Sequence, residues 1–405
     1  LVQRELTLPR TDAQLEGLRE YAFRHQVLHQ VTYDTVLKVH KRDGHARVAQ
    51  WLAGLTGQGS LRAGDVLGMA AEHFEQAGDE ANAAEFHARA AEHAAQRFAH
   101  DRVLEHVNRA LAMLGEAHAA PPAQLQLRWR LLSAHEQTLF LQARRDEQAA
   151  DLDAMAQLAD ALNDDRRRAE VSRRRGIRAM RMADWAVLDG AARDGMASAT
   201  RAGDEGLRLQ ALWLLACATL HQGDVDGART LALQCLDESR SLNLRGIEAR
   251  VLNLLATAAE RHGDDVGALN LQQQSLRIHR ETGDRINEAI VLGAVGECLM
   301  KLGDLPQARL ELDAALKFFR TNGDRTLEGA ALCVLSVLAL WQGDETRALA
   351  LAHSALEIIV AAQARDEEVL AALRLGEAEL ALGRVPDARQ AFLQARMRAL
   401  EVGSA

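Results

Sequence analysis

Apolar and polar positions along this chain follow a helical period over most of its length, and the period is interrupted at even intervals. From about Ala123 to the end, apolar residues recur three and four apart in blocks, each closed by a glycine and then an aspartate. Gly-Asp stands at 203/204, 223/224, 263/264, 283/284, 303/304, 323/324 and 343/344, so every interval is twenty residues or a multiple of it. Asn243-Leu244, Ala364-Arg365 and Gly383-Arg384 fill the beats that lack it, and Asn163-Asp164 and Ala183-Asp184 carry the phase backwards. Glycine is the residue that ends a helix in the left-handed conformation. The aspartate after it can cap the next helix and complement its dipole. The spacing therefore predicts antiparallel helices of roughly sixteen residues, about 24 Å long.

Alternate beats differ, which makes the true unit forty residues. Five positions after the turns at 223, 263, 303, 343 and 383 stand Ala228, Ala268, Ala308, Ala348 and Ala388. Twelve positions after them stand Cys235, Ser275, Ala315, Ala355 and Ala395. In the helix before each turn, seven positions back, lie Gly176, Ala216, Ala256, Gly296, Ser336 and Gly376. Each has a large aliphatic residue before it, Arg175 being the departure. Small residues in these slots let paired helices approach while their neighbours fill the gaps. In this the chain resembles the tetratricopeptide repeat, in a longer-helix form found in bacterial regulators. The resemblance covers about Ala123 to Ala405, as seven helix pairs. It is weaker in the first two, where Glu136 holds the small slot of one and Leu188 replaces the alanine of the other. It implies an all-α fold, a right-handed α-solenoid.

Upstream, Asp65 to Ala77, Asp79 to Arg97 and Ala99 to Leu114 read as three helices, and Pro121-Pro122 as a boundary. A glycine-rich loop, Gly54 to Gly64, sets them apart from the first sixty residues. There, Leu1 to Leu8 alternates like a strand with Tyr21 to Arg24 as its partner, and helices are expected over Gln26 to Val39 and Arg42 to Leu52. The pattern Tyr21-Ala22-Phe23-Arg24-His25, then Leu28, Val31, Tyr33, Leu37, His45, Val48, Ala49 and Leu52, resembles the junction in bacterial signal-transduction ATPases. In those proteins an ATPase domain is followed by a winged-helix element and a tetratricopeptide array. The resemblance implies a winged-helix remnant over 1–60, a helical connector over 61–120 and repeats over 121–405. Since the chain opens on Leu1 and not on Met, we expect it to be part of a longer protein with an ATPase domain upstream.

Composition narrows the function classes. Only five prolines and 4% aromatic residues accompany a 48% hydrophobic share, which suits a Leu/Ala helical core and not a large sheet. A net charge of −9 argues against nucleic acid and anionic membrane as partners. The longest apolar run, Gly329 to Trp341, is too short to span a bilayer, and no signal peptide is visible. Cys217, Cys235, Cys298 and Cys333 lie far apart in apolar stretches, as reduced thiols of a bacterial cytoplasmic protein would. No Gly-Lys pair exists to make a phosphate-binding loop, and no Gly-x-Ser-x-Gly elbow occurs. His25 and His29 share a helix face, but Gln26 stands where the catalytic zinc motif has glutamate. Neither an enzymatic reaction nor a metal or cofactor is expected.

Two charge patterns remain. Residues 166–181 hold eight arginines and one acid, Glu170, with Arg167, Arg174, Arg178 and Arg181 on one stripe. This is either an ion-paired, solvated face or a contact for an anionic ligand, an acidic partner or, least of the three, nucleic acid. Arg245/Glu248, Arg285/Glu288, Arg325/Glu328 and Arg365/Glu368 recur every forty residues and read as helix-start ion pairs. In the tetratricopeptide resemblance the first helix of each pair lines a concave groove. By phase those positions are Arg173, Ile177 and Arg181; Gln210, Trp213 and Cys217; Arg250, Asn253 and Thr257; Gly293 and Glu297; Cys333 and Val337. The expected ligand sites are Arg173, Arg181, Gln210, Trp213, Arg250, Asn253, Thr257 and Glu297, and the apolar later positions read as packing. The partner would be a protein, a peptide or an anionic small effector. Two readings follow: the regulatory module of a signal-transduction ATPase, or a stand-alone adaptor with neither ATPase nor switching.

Overall fold

A computed structural model describes residues 6–9, 21–55, 63–115, 120–362 and 364–401. The chain forms two compact units, residues 1–138 and 139–405. In the first, β1 (Thr7–Pro9) and β2 (Tyr21–Phe23) pair antiparallel, Thr7 opposite Phe23 and Pro9 opposite Tyr21. Residues 1–5 of the expected strand lie outside the described residues. So two three-residue strands are the whole sheet among the described residues, which is too little to define a winged helix. Next come α1 (Gln26–Thr35) and α2 (Lys38–Leu55). The helix expected to reach Val39 ends early. Thr35 turns its hydroxyl onto the Thr32 carbonyl at 2.8 Å, and Val36 goes extended. Helices α3 (Ala63–Ala77), α4 (Glu80–Gln96) and α5 (His100–Met113) match the three expected upstream of the repeats. Of the glycine-rich loop between α2 and α3, residues 56–62 are not among those described.

The repeats are seven helix pairs. They are α6 (Pro122–Leu141) with α7 (Arg145–Ala161), α8 (Asp165–Arg181) with α9 (Trp185–Ala202), and α10 (Glu205–His221) with α11 (Val225–Ser241). Next are α12 (Arg245–Arg261) with α13 (Asp265–Thr282), and α14 (Arg285–Lys301) with α15 (Leu305–Asn322). The last are α16 (Arg325–Trp341) with α17 (Glu345–Ala361), and α18 (Arg365–Ala381) with α19 (Val385–Glu401). The division between the units falls inside α6.

The turn chemistry is that of the Gly-Asp beat. Asp204, Asp264 and Asp324 each accept the backbone N–H three residues on, at 2.9, 2.8 and 3.0 Å, and the other aspartates of the beat do likewise. The glycine before each is left-handed, as at Gly203 (φ 66°). Where glycine is missing the backbone turns the same way regardless, at Ala143, Asn163, Ala183 and Asn243 (φ 58°, 49°, 50° and 54°). Helix spacing therefore dictates the left-handed turn, and glycine only lowers its cost. One beat is displaced from the sequence reading. Ala364, and not Arg365, holds the capping position, so that turn lies one residue earlier than expected.

Inside the pairs, glycine in the first helix makes room for a large residue of the second. A Cβ on Gly296 would lie 2.6 Å from Cγ of Leu312, and one on Gly376 would meet the ring of Phe392 at 2.5 Å. Leu188, the large residue in an alanine slot, is accommodated the same way, because its Cδ1 lies 3.3 Å from where Gly176 would carry a Cβ. In that pair the bulk has moved one turn along: Leu188 and Ala192 stand where Ala308 and Leu312 stand later.

The ion-pair ladder is stronger than its sequence spacing suggests. Glu248, Glu288 and Glu328 are buried, and each binds two arginines. One starts its own helix, at 2.7, 2.9 and 2.9 Å, and one ends the helix before, at 2.9, 3.1 and 3.0 Å. The fourth rung departs from expectation. Glu368 takes Arg398 of α19 at 2.8 Å, while Arg365 makes no ion pair among the described residues. The third repeat holds the same rung with its charges exchanged, Arg208 bonding Glu238.

The second unit also closes on itself. Ala143, in the turn before α7, shares a hydrophobic core with Leu335, Ala362 and Ala364 of the last repeats.

Candidate functional site

The groove-facing positions of α8, α10 and α12 come together around a pocket of about 560 Å³ lined by Glu170, Arg173, Gln210, Arg245 and Arg250. Arg173 is committed, since both its Nε and Nη2 donate to Glu170, at 2.8 and 2.7 Å. Arg174 donates to the same carboxylate at 2.8 Å. Burial would push the Glu170 carboxyl up, but the bonds from Arg173 and the charges of both arginines hold it below the usual value. Arg250 is different. Its guanidinium lies 5.7 Å from the ring centroid of Trp213, and among the described residues it has neither a hydrogen-bond acceptor nor a carboxylate at ion-pair distance. Burial holds its pKa below normal; distant Asp284 opposes this, and the like charge of Arg173 reinforces it. Beside it the first residues of α12 line the same pocket, and there Leu244 leaves the helix without a side-chain cap. Trp213 itself packs on the core and presents part of its ring to the groove.

The other groove positions divide. Thr257 bonds its hydroxyl to the Asn253 carbonyl at 3.2 Å, so Thr257 serves its own helix, and the Asn253 side chain stays half-buried in the wall. Cys217 and Cys333 are buried in the core, where burial pushes the Cys333 thiol up to about 12 and the Cys217 thiol higher still. Ile177 and Val337 pack against the same cores, and Gly293 faces open space. Arg181 is not on the wall with Arg173. It sits over the Phe140 ring at 5.4 Å, 3.7 Å from Asp324, and lines a second cavity. Most of the arginine run is paired within its own region: Arg166 with Asp204, Arg168 with Asp160 and Asp165, Arg175 with Asp153. The ion-paired face thus accounts for most of these arginines, and Arg250, outside the run, has no carboxylate partner among the described residues.

Glu297 stands alone further along the groove. It is exposed to solvent although much protein lies around it, and it has no bonded partner among the described residues. Burial raises its pKa and Glu260 adds to the rise, with Lys301 and Arg374 opposing. A carboxyl raised in the folded state has no effect on stability while the pH is below its unfolded value. Stability is then lost as the pH climbs toward the raised value and stays lost above it. Glu297→Gln should therefore raise the melting temperature at neutral pH and leave it unchanged at about pH 3, where both states are protonated. Thermal melts at the two pH values check this.

Sequence reasoning missed the second cavity and its residues Arg145, Trp185 and Arg365. Arg145 and Trp185 occupy equivalent places forty residues apart, which was the available signal.

No protein-family model matches this chain, and no curated protein matches it. Solved structures do. The Rap conjugation gene regulator of the plasmid pLS20, in complex with the Phr* peptide, aligns over 89% of this chain and 96% of its own, with a TM-score of 0.60 and 10% identity. A Rap protein complexed with competence and sporulation factor aligns over 79% and 98%, with a TM-score of 0.57 and 12% identity. Cut9 of the APC/C hetero-tetramer Cut9-Hcn1 aligns over 84% and 67%, with a TM-score of 0.51 and 13% identity. The fold is a tetratricopeptide-type α-solenoid. Among the described residues no helix is long and apolar enough to cross a membrane.

Proposed function

We propose that this solenoid is a binding scaffold whose groove, along α8, α10 and α12, holds a protein or peptide segment presenting a carboxylate. The observation behind it is Arg250, a half-buried guanidinium over an indole ring that has no protein acceptor among the described residues. A bidentate carboxylate fits its planar fork and would supply the acceptor it lacks. Trp213 offers the apolar anchor, Gln210 and Asn253 can meet a peptide backbone, and the uncapped start of α12 favours negative charge. The peptide in the Rap–Phr* complex belongs to that protein; the likeness to it is one of fold.

On the further reading, this scaffold is the regulatory module of a signal-transduction ATPase and relays occupancy to an ATPase domain upstream. Its support is the residue pattern over Tyr21 to Leu52. The alternative is an adaptor that joins two proteins without switching. A phosphate-binding loop encoded upstream of Leu1 favours the first, and ATP hydrolysis by the longer protein that responds to the bound peptide would establish it.

Selection from a random-peptide display library tests the groove. Peptides with an acidic side chain or a free carboxyl terminus should be recovered. Arg250→Glu should weaken them at least tenfold, the size of one or more charged hydrogen bonds of about 1.5–3 kcal/mol. Trp213→Ala should also weaken them. Affinities unchanged in both variants would remove the site from this wall.

A further inference from the structure

A second cavity, separate from the groove pocket, lies where the second unit closes on itself. It measures about 690 Å³ and is lined by Arg145 and Asp146 of α7, Arg181 and Met182 at the end of α8, Trp185 of α9, Gln222 after α10, and Arg365 at the start of α18. Its three guanidiniums are incompletely used. Among the described residues Arg145 donates to neutral acceptors, the Phe140 carbonyl at 3.0 Å and the Gln148 amide at 3.3 Å. Arg181 stands 3.7 Å from Asp324, beyond hydrogen-bond length. Arg365 makes no ion pair among the described residues, although its counterparts in earlier repeats all do.

Most carboxylates at the rim are engaged elsewhere. Asp184 accepts Val187 N–H at 3.0 Å as the cap of α9, and Glu401 is bonded by Arg398 at 2.7 Å. Asp146, in the first turn of α7, lines the rim and is exposed to solvent. Burial first, and then the charges of Arg181 and Arg178, bring the Arg145 pKa down to about 10, with Glu367 and Asp324 opposing. The cavity also has a flat wall. The Trp185 ring is stacked on His221, centroids 4.0 Å apart and planes 8° apart, so the indole is held in place before any ligand arrives.

We infer that this cavity is a binding site for a small organic anion with a flat apolar body, its oxyanion held by Arg145, Arg181 and Arg365 and its body on Trp185. The volume is that of a small-molecule site, far larger than a bare inorganic ion needs. A carboxylate and a phosphate share the required chemistry. Because Arg365 belongs to the last repeat and the other two arginines to the first two, the anion also converts repulsion across the seam into attraction. Occupancy fastens the closed form of the array.

Naphthyl phosphate, naphthoate and inorganic phosphate, titrated calorimetrically into the whole chain, distinguish the outcomes. One of the two naphthyl anions should bind at a single site, more tightly than inorganic phosphate, and raise the melting temperature at saturation. The tighter of the two identifies the headgroup. Arg365→Ala should weaken binding at least tenfold, and because Arg365 is exposed and makes no ion pair among the described residues the fold is not at stake. Trp185→Phe should weaken the naphthyl anions and leave inorganic phosphate unaffected. Arg250→Gln, in the groove, should change nothing here, so this inference stands or falls apart from the groove reading. Absence of binding by both naphthyl anions overturns it. So does wild-type affinity in Arg365→Ala, or an equal loss in Arg250→Gln.

Discussion

Gly296→Leu is expected to destabilise the array by at least about 1–3 kcal/mol, the usual cost of forcing volume into a filled core. A Cβ alone at this site would sit 2.6 Å from Cγ of Leu312 and 3.3 Å from the Ala308 carbonyl oxygen. The side chain of Leu312 can turn aside, but the carbonyl is fixed in the α15 backbone, so α14 and α15 must separate. Separation also uncovers Ala308 and Ala315, both fully buried. The repair is as specific as the damage. In Gly296→Ala/Leu312→Ala the volume added on one helix is removed from the other, and the double variant should be more stable than the sum of its single changes allows. Urea unfolding of the three variants and the parent measures the coupling. A midpoint unmoved by Gly296→Leu would show that the paired helices are phased differently from the description given above.

The second large effect is expected at the exchanged ion pair. Arg398→Glu sets two carboxylates against each other at Glu368, a site only 6% exposed. Removing the partner of a buried carboxylate leaves its charge uncompensated, and although solvent around Arg398 softens the repulsion, the unfolding midpoint should fall clearly. Glu368→Arg/Arg398→Glu should recover most of that loss, because Arg208 and Glu238 already hold the reversed arrangement in the third repeat. Chemical denaturation of both variants decides the matter. A double variant no better than the single one would mean that packing around α18, and not charge, sets the rung.

Much of this architecture is written in short-range signals. The turn at Gly203, the cap at Asp204 and the small slot at Gly296 each depend on residues within one helix pair, and a forty-residue period repeats them often enough to be read. Groove positions follow from the same phase, which is why Arg173, Gln210 and Arg250 were placed on one wall from sequence. Their pairing was not legible. Glu170 takes up Arg173 and leaves Arg250 without a carboxylate, a matter of ångströms that no spacing encodes. Arg181 and Arg365 were misread for a different reason. Their surroundings depend on the rotation between successive helix pairs, summed along the array, and a small angle repeated many times decides which distant helix arrives beside Phe140. The amino-terminal strands show the opposite limit, since too few residues are paired there for any period to be recognised.

The contact of Ala143 with Leu335, Ala362 and Ala364 has one more consequence. Most solenoids can gain or lose a repeat by duplication or deletion, because each unit answers only to its neighbours. Here a deleted unit would bring the wrong helix to Ala143, and an inserted one would carry the right helix past it. The seam therefore acts as a ruler, which makes the number of repeats between its two sides a heritable dimension of this protein and confines tolerated length changes to segments outside it.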